Sequence, residues 1–103
     1  MSYSINVSNA AKAETRQIYG YLADYGPDTA DKHLVRLTNS ISLIGRDPFL
    51  CSYFFLTGAP YRAKLFSVGR TSFWIVYEVD ELERTVNILK IWNSKQDPND
   101  FEF

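Results

Sequence analysis

A chain of 103 residues with a formal net charge of −1 is long enough for one domain with a single hydrophobic core, so residues 1–103 are treated as one domain. Its acidic pI of about 5.7 argues against a protein that mainly coats nucleic acid, because such proteins are usually strongly basic. One cysteine and one histidine exclude a disulfide framework and a zinc-type cluster, so we expect no metal and no cofactor. No apolar run approaches the ~18 residues of a membrane span, which predicts a soluble, cytoplasmic protein without membrane contact.

The N-terminal half predicts a short strand and two helices. Polar and apolar residues alternate over residues 2–7, which is typical of a half-buried strand. Ser8 is a favourable N-cap for the helix that follows, and Gly26 ends that helix directly before Pro27. The second helix, which Gly45 ends, has an apolar stripe at steps of three and four: Ala30, Leu34, Leu37, Ile41 and Ile44. Because their connection is so short, the two helices must form an antiparallel hairpin.

The C-terminal half predicts a three-stranded meander. Residues 61–92 contain three runs of β-branched, aromatic and aliphatic residues, separated by polar breaks at 67–70 and 80–84. Residues 49–60 are apolar without a regular period, which indicates a loop. The order β-αα-βββ therefore predicts an α+β fold, with an antiparallel sheet and the helical hairpin packed on one of its faces.

Cationic residues on the predicted sheet are the main candidates for a functional site. Arg62 and Lys64 are two residues apart on one strand, so they project from the same face. Alternation on the other two strands predicts Trp74, Lys90 and Trp92 on that face, turned away from the helices. Such a face is either a solvated surface covered by long side chains or a surface that stacks bases or binds a peptide partner.

Other catalytic constellations are not indicated. His33 is the only histidine and is interpreted as a surface or boundary residue of the second helix, so a serine–histidine triad is not expected. Cys51 is interpreted as a small apolar filler. The five glycines are scattered singly, unlike those of a phosphate-binding loop.

The order of these elements, together with three segments of the second half, resembles the RelE/ParE family of bacterial type II toxins. The segments are YRAKLFSVG at 61–69, FWIVYEVD at 73–80 and ILKIWNSKQDP at 88–98. The likeness covers nearly the whole chain, and the tyrosine-rich first helix leading into a Pro-Asp start of the second is more similar to the ParE branch. The resemblance implies a growth inhibitor that a cognate antitoxin holds silent in a toxin–antitoxin hetero-oligomer.

The resemblance leaves two activities open. RelE-like members cut messenger RNA on the ribosome without a metal, and such a nuclease would use Arg62, Lys64 and Lys95 here. Trp74 stands where those nucleases have an arginine, and Phe101 stands where they have a tyrosine, so a cation and a proton-transfer group are missing.

The alternative activity is that of ParE-like members, which bind DNA gyrase and cut no RNA. We favour this activity, and therefore a binding protein rather than an enzyme. Its predicted contact residues, for target or antitoxin, are Arg62, Lys64, Arg70, Trp74, Lys90 and Trp92.

Overall fold

Two helices pack on one face of a four-stranded sheet in the computed structural model, which describes residues 2–51, 61–68 and 71–94. The elements in chain order are β1 (Ser4–Val7), α1 (Asn9–Ala23), α2 (Pro27–Arg46), β2 (Arg62–Val68), β3 (Thr71–Asp80) and β4 (Thr85–Asn93). The α+β class and the helical hairpin on one face of the sheet are therefore confirmed. No helix in the described part of the chain is long and apolar enough to cross a membrane.

Local sequence explains where both helices begin. The Ser8 hydroxyl accepts a hydrogen bond of 3.0 Å from the backbone N–H of Ala11, which caps α1. Pro27 opens α2 at a position where its missing N–H would have no helical partner. Gly26 precedes it with a φ of 140°, a conformation that L side chains rarely adopt, so the tight turn of the hairpin requires glycine.

The inward face of α2 differs from the predicted apolar stripe. Leu34 is 42% exposed, whereas His33 is fully buried and its ring lies 5.4 Å from the ring centroids of both Phe66 and Phe73. The interpretation of His33 as a surface or boundary residue is therefore wrong. The buried stripe is Ala30, His33, Leu37, Ser40, Ile44 and Gly45.

The sheet has the strand order β1-β4-β3-β2, so β1 and β2 lie at its edges. β2 pairs with β3 and β3 pairs with β4 in antiparallel fashion, as the meander predicts. β1 pairs with β4 in parallel, with Ser4 opposite Thr85, so the sheet is mixed rather than wholly antiparallel. A parallel pair needs a long connection between its strands, and here the helical hairpin and the meander supply it.

A β-bulge interrupts the alternation of β4. Val76 lies opposite Lys90 and the next residue of β3, Tyr77, lies opposite Ile88. Leu89 is therefore the extra residue of the bulge.

The bulge decides which side chains of β4 face the helices. Strict alternation predicts that Val86, Ile88, Lys90 and Trp92 share one face. Instead, Val86, Ile88 and Ile91 join the core beneath the helices, while Trp92 joins a smaller cluster on the opposite face.

The core lies between the helical hairpin and the sheet. Its buried members are Ala11, Leu37, Ile44, Phe66, Phe73, Ile75, Tyr77, Val86, Ile88 and Ile91. On the opposite face of the sheet, Ala63, Val76 and Trp92 form the smaller buried cluster, with Tyr61 and Trp74 packed against it.

α1 covers the part of the β4 edge that β1 does not reach. The Ser8 hydroxyl donates a hydrogen bond of 3.0 Å to the carbonyl oxygen of Leu89, and the backbone N–H of Ile91 donates one of 3.1 Å to a carboxylate oxygen of Glu14. The other carboxylate oxygen of Glu14 lies 3.3 Å from the ammonium nitrogen of Lys90. Side chains of the first helix thus pair the backbone groups at this sheet edge.

Replacing Glu14 with alanine is expected to lower the free energy of unfolding by about 1–3 kcal/mol, because the N–H of Ile91 loses its acceptor in a partly buried site. Glu14→Gln is expected to lose less, since the amide oxygen can still accept that hydrogen bond. Urea denaturation followed by circular dichroism measures both values, with Arg16→Ala on the same helix as the exposed control. A Glu14→Ala chain as stable as the Arg16→Ala control would contradict this role of α1.

Candidate functional site

β2 directs Arg62 and Lys64 towards the helix side of the sheet. Arg62 lies opposite Tyr77 and Lys64 lies opposite Ile75 in the antiparallel register. Directly opposite residues point to the same face, and both of these partners belong to the core beneath the helices. The expectation that Arg62 and Lys64 lie on the far face is therefore wrong. The reason is Phe66, which lies an even number of residues from both cations and therefore shares their face of β2. Because the Phe66 ring is buried in the core, the two cations face the helices as well.

The Arg62 guanidinium contacts the segment that follows α2. One of its N–H groups donates a hydrogen bond of 2.7 Å to the carbonyl oxygen of Cys51, and its Cζ atom lies 5.3 Å from the ring centroid of Phe49. The Tyr77 hydroxyl donates a buried hydrogen bond of 2.6 Å to the carbonyl oxygen of Pro48. Burial raises the pKa of Tyr77 far above its usual value, so the hydroxyl keeps its proton and remains a donor. Two sheet residues thus hold this segment in place.

Arg62 is also the end of a row of stacked groups. Tyr3 meets Phe49 edge to face, with ring centroids 6.0 Å apart, and the guanidinium of Arg84 lies 5.2 Å from the Tyr3 ring centroid. The row therefore runs from Arg84 through Tyr3 and Phe49 to Arg62. It connects the β3–β4 turn, the residue preceding β1, the segment after α2 and strand β2. Arg62 consequently has a structural role on its own side of the sheet.

The aromatic part of the predicted surface lies on the opposite face. Trp74 and Trp92 are opposite each other in the register of β3 and β4. The ammonium nitrogen of Lys90 lies 5.5 Å from the Trp92 ring centroid, besides its ion pair with Glu14. The structure therefore brings Trp74, Lys90 and Trp92 together and separates them from Arg62 and Lys64. Arg70, Lys95 and Phe101 lie outside the described residues.

This division limits the chemistry of the described surface. A metal-free ribonuclease needs cations and a proton-transfer group around one phosphate. Arg62 and Lys64 point to one side of the sheet and Lys90 to the other. Within residues 2–51, 61–68 and 71–94, no face gathers all three cations. The same ranges contain no group of three His, Cys, Asp or Glu residues that could hold a metal ion.

Sequence reasoning did not single out a pocket that lies between α1 and the sheet. Its volume is about 290 Å³, and it is lined by Glu14, Gln17, Ile18, Tyr21, Phe73, Ile91 and Asn93. The α1 residues among these recur at helical spacing, which is the signal that could have indicated a shared face. The pocket therefore offers room for a partner group on the helix side of the sheet.

Tyr21, which lines this pocket, lies with Tyr19 and Tyr25 at the hairpin end of α1. Tyr21 is 59% and Tyr25 is 70% exposed; their hydroxyl oxygens are 3.1 Å apart and their rings meet edge to face. The Tyr19 hydroxyl donates a hydrogen bond of 3.1 Å to Asp31 of α2. That hydrogen bond raises the pKa of Tyr19, and the contact with Tyr21 raises the pKa of Tyr25, so both phenols stay protonated at neutral pH. The hairpin end is thus exposed, aromatic and rich in hydroxyl groups.

Comparison with known proteins gives two matches relevant to this fold. The model of a family described as the ParE toxin of type II toxin-antitoxin system, parDE, matches residues 5–98. A solved structure described as the chromosomal ParDE TA system from P. aeruginosa aligns with a TM-score of 0.72 at 17% identity, covering 89% of this chain and 96% of that chain. No curated protein matches the chain. At this identity the structural likeness supports the fold alone.

Proposed function

The chain belongs to the ParE toxin family of type II toxin–antitoxin systems, and we propose that it arrests growth by binding DNA gyrase until a cognate antitoxin binds and silences it. The toxin and the antitoxin would form a hetero-oligomer in the cytoplasm. Gyrase binding and antitoxin neutralisation go beyond the family assignment and are argued below from the site.

The observation that carries the gyrase proposal is the placement of the cations. Arg62 donates to Cys51 and stacks on Phe49, and Lys90 is paired with Glu14 at the part of the β4 edge that α1 covers. A phosphate held against β2 would therefore meet Lys64 and a guanidinium already bound to the chain. This arrangement favours recognition of a partner surface over stabilisation of a cleaved phosphodiester.

The proposed contact surface has two parts. Lys64 is the half-buried cation of the helix side. On the far face the half-buried Trp74 and Lys90 flank Trp92, which is itself only 6% exposed. Tryptophan side chains are among those that most often carry the binding energy of protein interfaces. Arg70 remains a proposed contact from its position in the sequence.

The alternative is a ribosome-dependent ribonuclease that uses Arg62, Lys64 and Lys95. The one observation in its favour is that Arg62 and Lys64 share a face of β2.

Purified wild-type chain is expected to inhibit DNA supercoiling by gyrase and to leave transcripts intact, because it would act through a protein surface rather than through phosphate chemistry. Supercoiling assays on plasmid DNA and transcript mapping after tightly controlled expression measure the two outcomes. Antitoxins of this family are encoded beside their toxins, so the candidate antitoxin is a small protein encoded in the neighbouring reading frame. The chain together with this protein is the control, and the mixture should leave gyrase active. Codon-positioned cuts in transcripts, with gyrase unaffected, would overturn the proposal in favour of the ribonuclease.

A further inference from the structure

We propose that the pocket between α1 and the sheet receives one aromatic side chain of the antitoxin, carried on a basic segment that crosses the hairpin end of α1. This inference rests on the proposed function, because it assumes an antitoxin. It goes further by naming the docking site and the chemistry of the segment that fills it.

The size and lining of the pocket indicate a single side chain. Its volume of about 290 Å³ lies at the lower limit of the ~300–1,000 Å³ typical of small-molecule sites. Phe73 and Ile91, both less than 5% exposed, and the half-buried Ile18 supply apolar surface. An aromatic ring that enters the pocket exchanges water for these three side chains, and the exposed Tyr21 ring at the rim can pack against its edge.

The polar groups of the pocket favour an uncharged ring over a cationic head group. Glu14 already accepts a hydrogen bond from the Ile91 backbone and pairs with Lys90 at 3.3 Å, so its charge is compensated. The Gln17 amide has no hydrogen-bond partner within the described part of the chain. It can serve a phenol hydroxyl or an indole N–H, both of which need a partner when buried.

The surroundings of the pocket favour a basic segment as the carrier of that ring. Residues 17–31 contain three aspartates and three tyrosines and no lysine or arginine. Asp24 and Asp28 form no ion pair among the residues that the structure describes. Lysine or arginine side chains of a partner would meet these carboxylates and the exposed faces of Tyr21 and Tyr25. A second copy of this chain would bring the same acidic surface, and like charges would oppose that pairing.

The test uses the whole chain and the small protein encoded in the neighbouring reading frame as the probe. Gln17→Trp places a bulky side chain at the mouth of the pocket from an exposed helix position, and it is expected to raise the Kd for this protein at least 100-fold. Arg16→Trp, on the same helix but outside the pocket, is the matched control and should stay within threefold of wild type. Calorimetry measures the Kd values, and denaturation confirms that both variants are folded.

A second pair of variants tests the basic segment. Asp24→Lys combined with Asp28→Lys is expected to raise the Kd more than tenfold at low salt, with a smaller effect at high salt because surface charges are screened. Glu81→Lys combined with Glu83→Lys, in the β3–β4 turn, is the charge-matched control and should leave the Kd unchanged. An equal effect of both pairs would show that only net charge matters and would overturn this part of the inference.

Growth assays separate a failure of this inference from a failure of the proposed function. Gln17→Trp is expected to arrest growth in the absence of the antitoxin and to escape neutralisation in its presence. If Gln17→Trp binds the antitoxin as tightly as wild type does, the pocket assignment is wrong. If Gln17→Trp also no longer arrests growth, the pocket belongs to the contact with the cellular target instead. A wild-type chain that neither arrests growth nor binds the neighbouring protein would refute the proposed function itself. A wild-type chain that self-associates through the pocket, with Gln17→Trp monomeric, would assign the pocket to a second copy instead.

Discussion

Replacing His33 with leucine is expected to raise the free energy of unfolding at neutral pH by about 1–3 kcal/mol, because a buried polar atom without a partner costs about that much. The imidazole is fully buried against Phe66 and Phe73, and neither ring nitrogen has a hydrogen-bond partner among the described residues. Leucine has a similar volume and no polar atom, so it can fill the same space between the rings. Urea denaturation at pH 7.5 measures the gain.

The same replacement is expected to remove a pH dependence of stability. Burial lowers the pKa of His33 below its usual value of about 6.5, so the folded chain holds the neutral imidazole while the unfolded chain binds a proton more readily. The stability linked to this difference in pKa is fully present above the pKa of His33 in the unfolded chain. It is lost as the pH falls from about 6.5 towards the lower pKa of His33 in the folded chain. Wild-type stability should therefore fall between pH 7 and pH 5 more steeply than that of His33→Leu.

Two outcomes would contradict this account of His33. A His33→Leu chain less stable than wild type by more than about 1 kcal/mol would show that the imidazole is held by a favourable interaction. Parallel stability curves between pH 7 and pH 5 would show that the ring does not change its protonation on unfolding. His33→Ala is the packing control and should be destabilised at every pH, because it leaves a cavity between the two rings.

Replacing Arg62 with alanine is expected to lower the free energy of unfolding by about 2–3 kcal/mol, since a hydrogen bond from a charged donor and a cation–π contact are lost together. Lys64→Ala removes a half-buried cation of the same strand and is expected to change stability by less than about 0.5 kcal/mol. Denaturation curves measure the difference in stability between the two variants. A large loss marks a cation that stabilises the fold, and a small loss is expected of a cation that contacts the target.

The two variants should also separate in function. If Lys64 contacts the target, Lys64→Ala loses growth arrest while remaining as stable as wild type. Arg62→Ala should lose arrest in proportion to its unfolded fraction, and lower temperature should restore it. Arg62→Lys keeps the charge but not the planar group that stacks on Phe49, so its stability should be intermediate. An Arg62→Ala chain that is fully stable yet inactive would instead place Arg62 in the target contact and contradict the structural role.

The element order was predictable because its signals are local. Ser8 caps α1 with its own hydroxyl, and Gly26 and Pro27 mark the hairpin turn through backbone preferences that need no distant partner. The three runs of the meander could be located by the polar breaks between them. Helix and strand boundaries therefore agree with the sequence to within a few residues, as expected for signals of this kind.

It was harder to predict which face of the sheet each side chain occupies, because the face depends on the register of the alternating residues in each strand. Arg62, Lys64 and Phe66 share one side of β2, and the need to bury Phe66 outweighs the tendency of the two cations to face solvent. In β4 the single extra residue, Leu89, reverses the alternation that the sequence pattern indicates. The predicted contact residues therefore fall on two opposite faces of the sheet, and the pattern of any one strand does not show this division.

The amino-acid sequence by itself determined the element order, the hairpin turn and the toxin family, because each rests on short-range signals or on the order of segments along the chain. Only the tertiary structure decided that β1 joins β4 in parallel, that His33 is buried, and that Arg62 holds the segment after α2. It also formed the pocket between α1 and the sheet. These features arise from contacts between residues far apart in sequence, such as Glu14 with Ile91 and Tyr77 with Pro48, and packing of the whole core chooses among the local alternatives that the sequence leaves open.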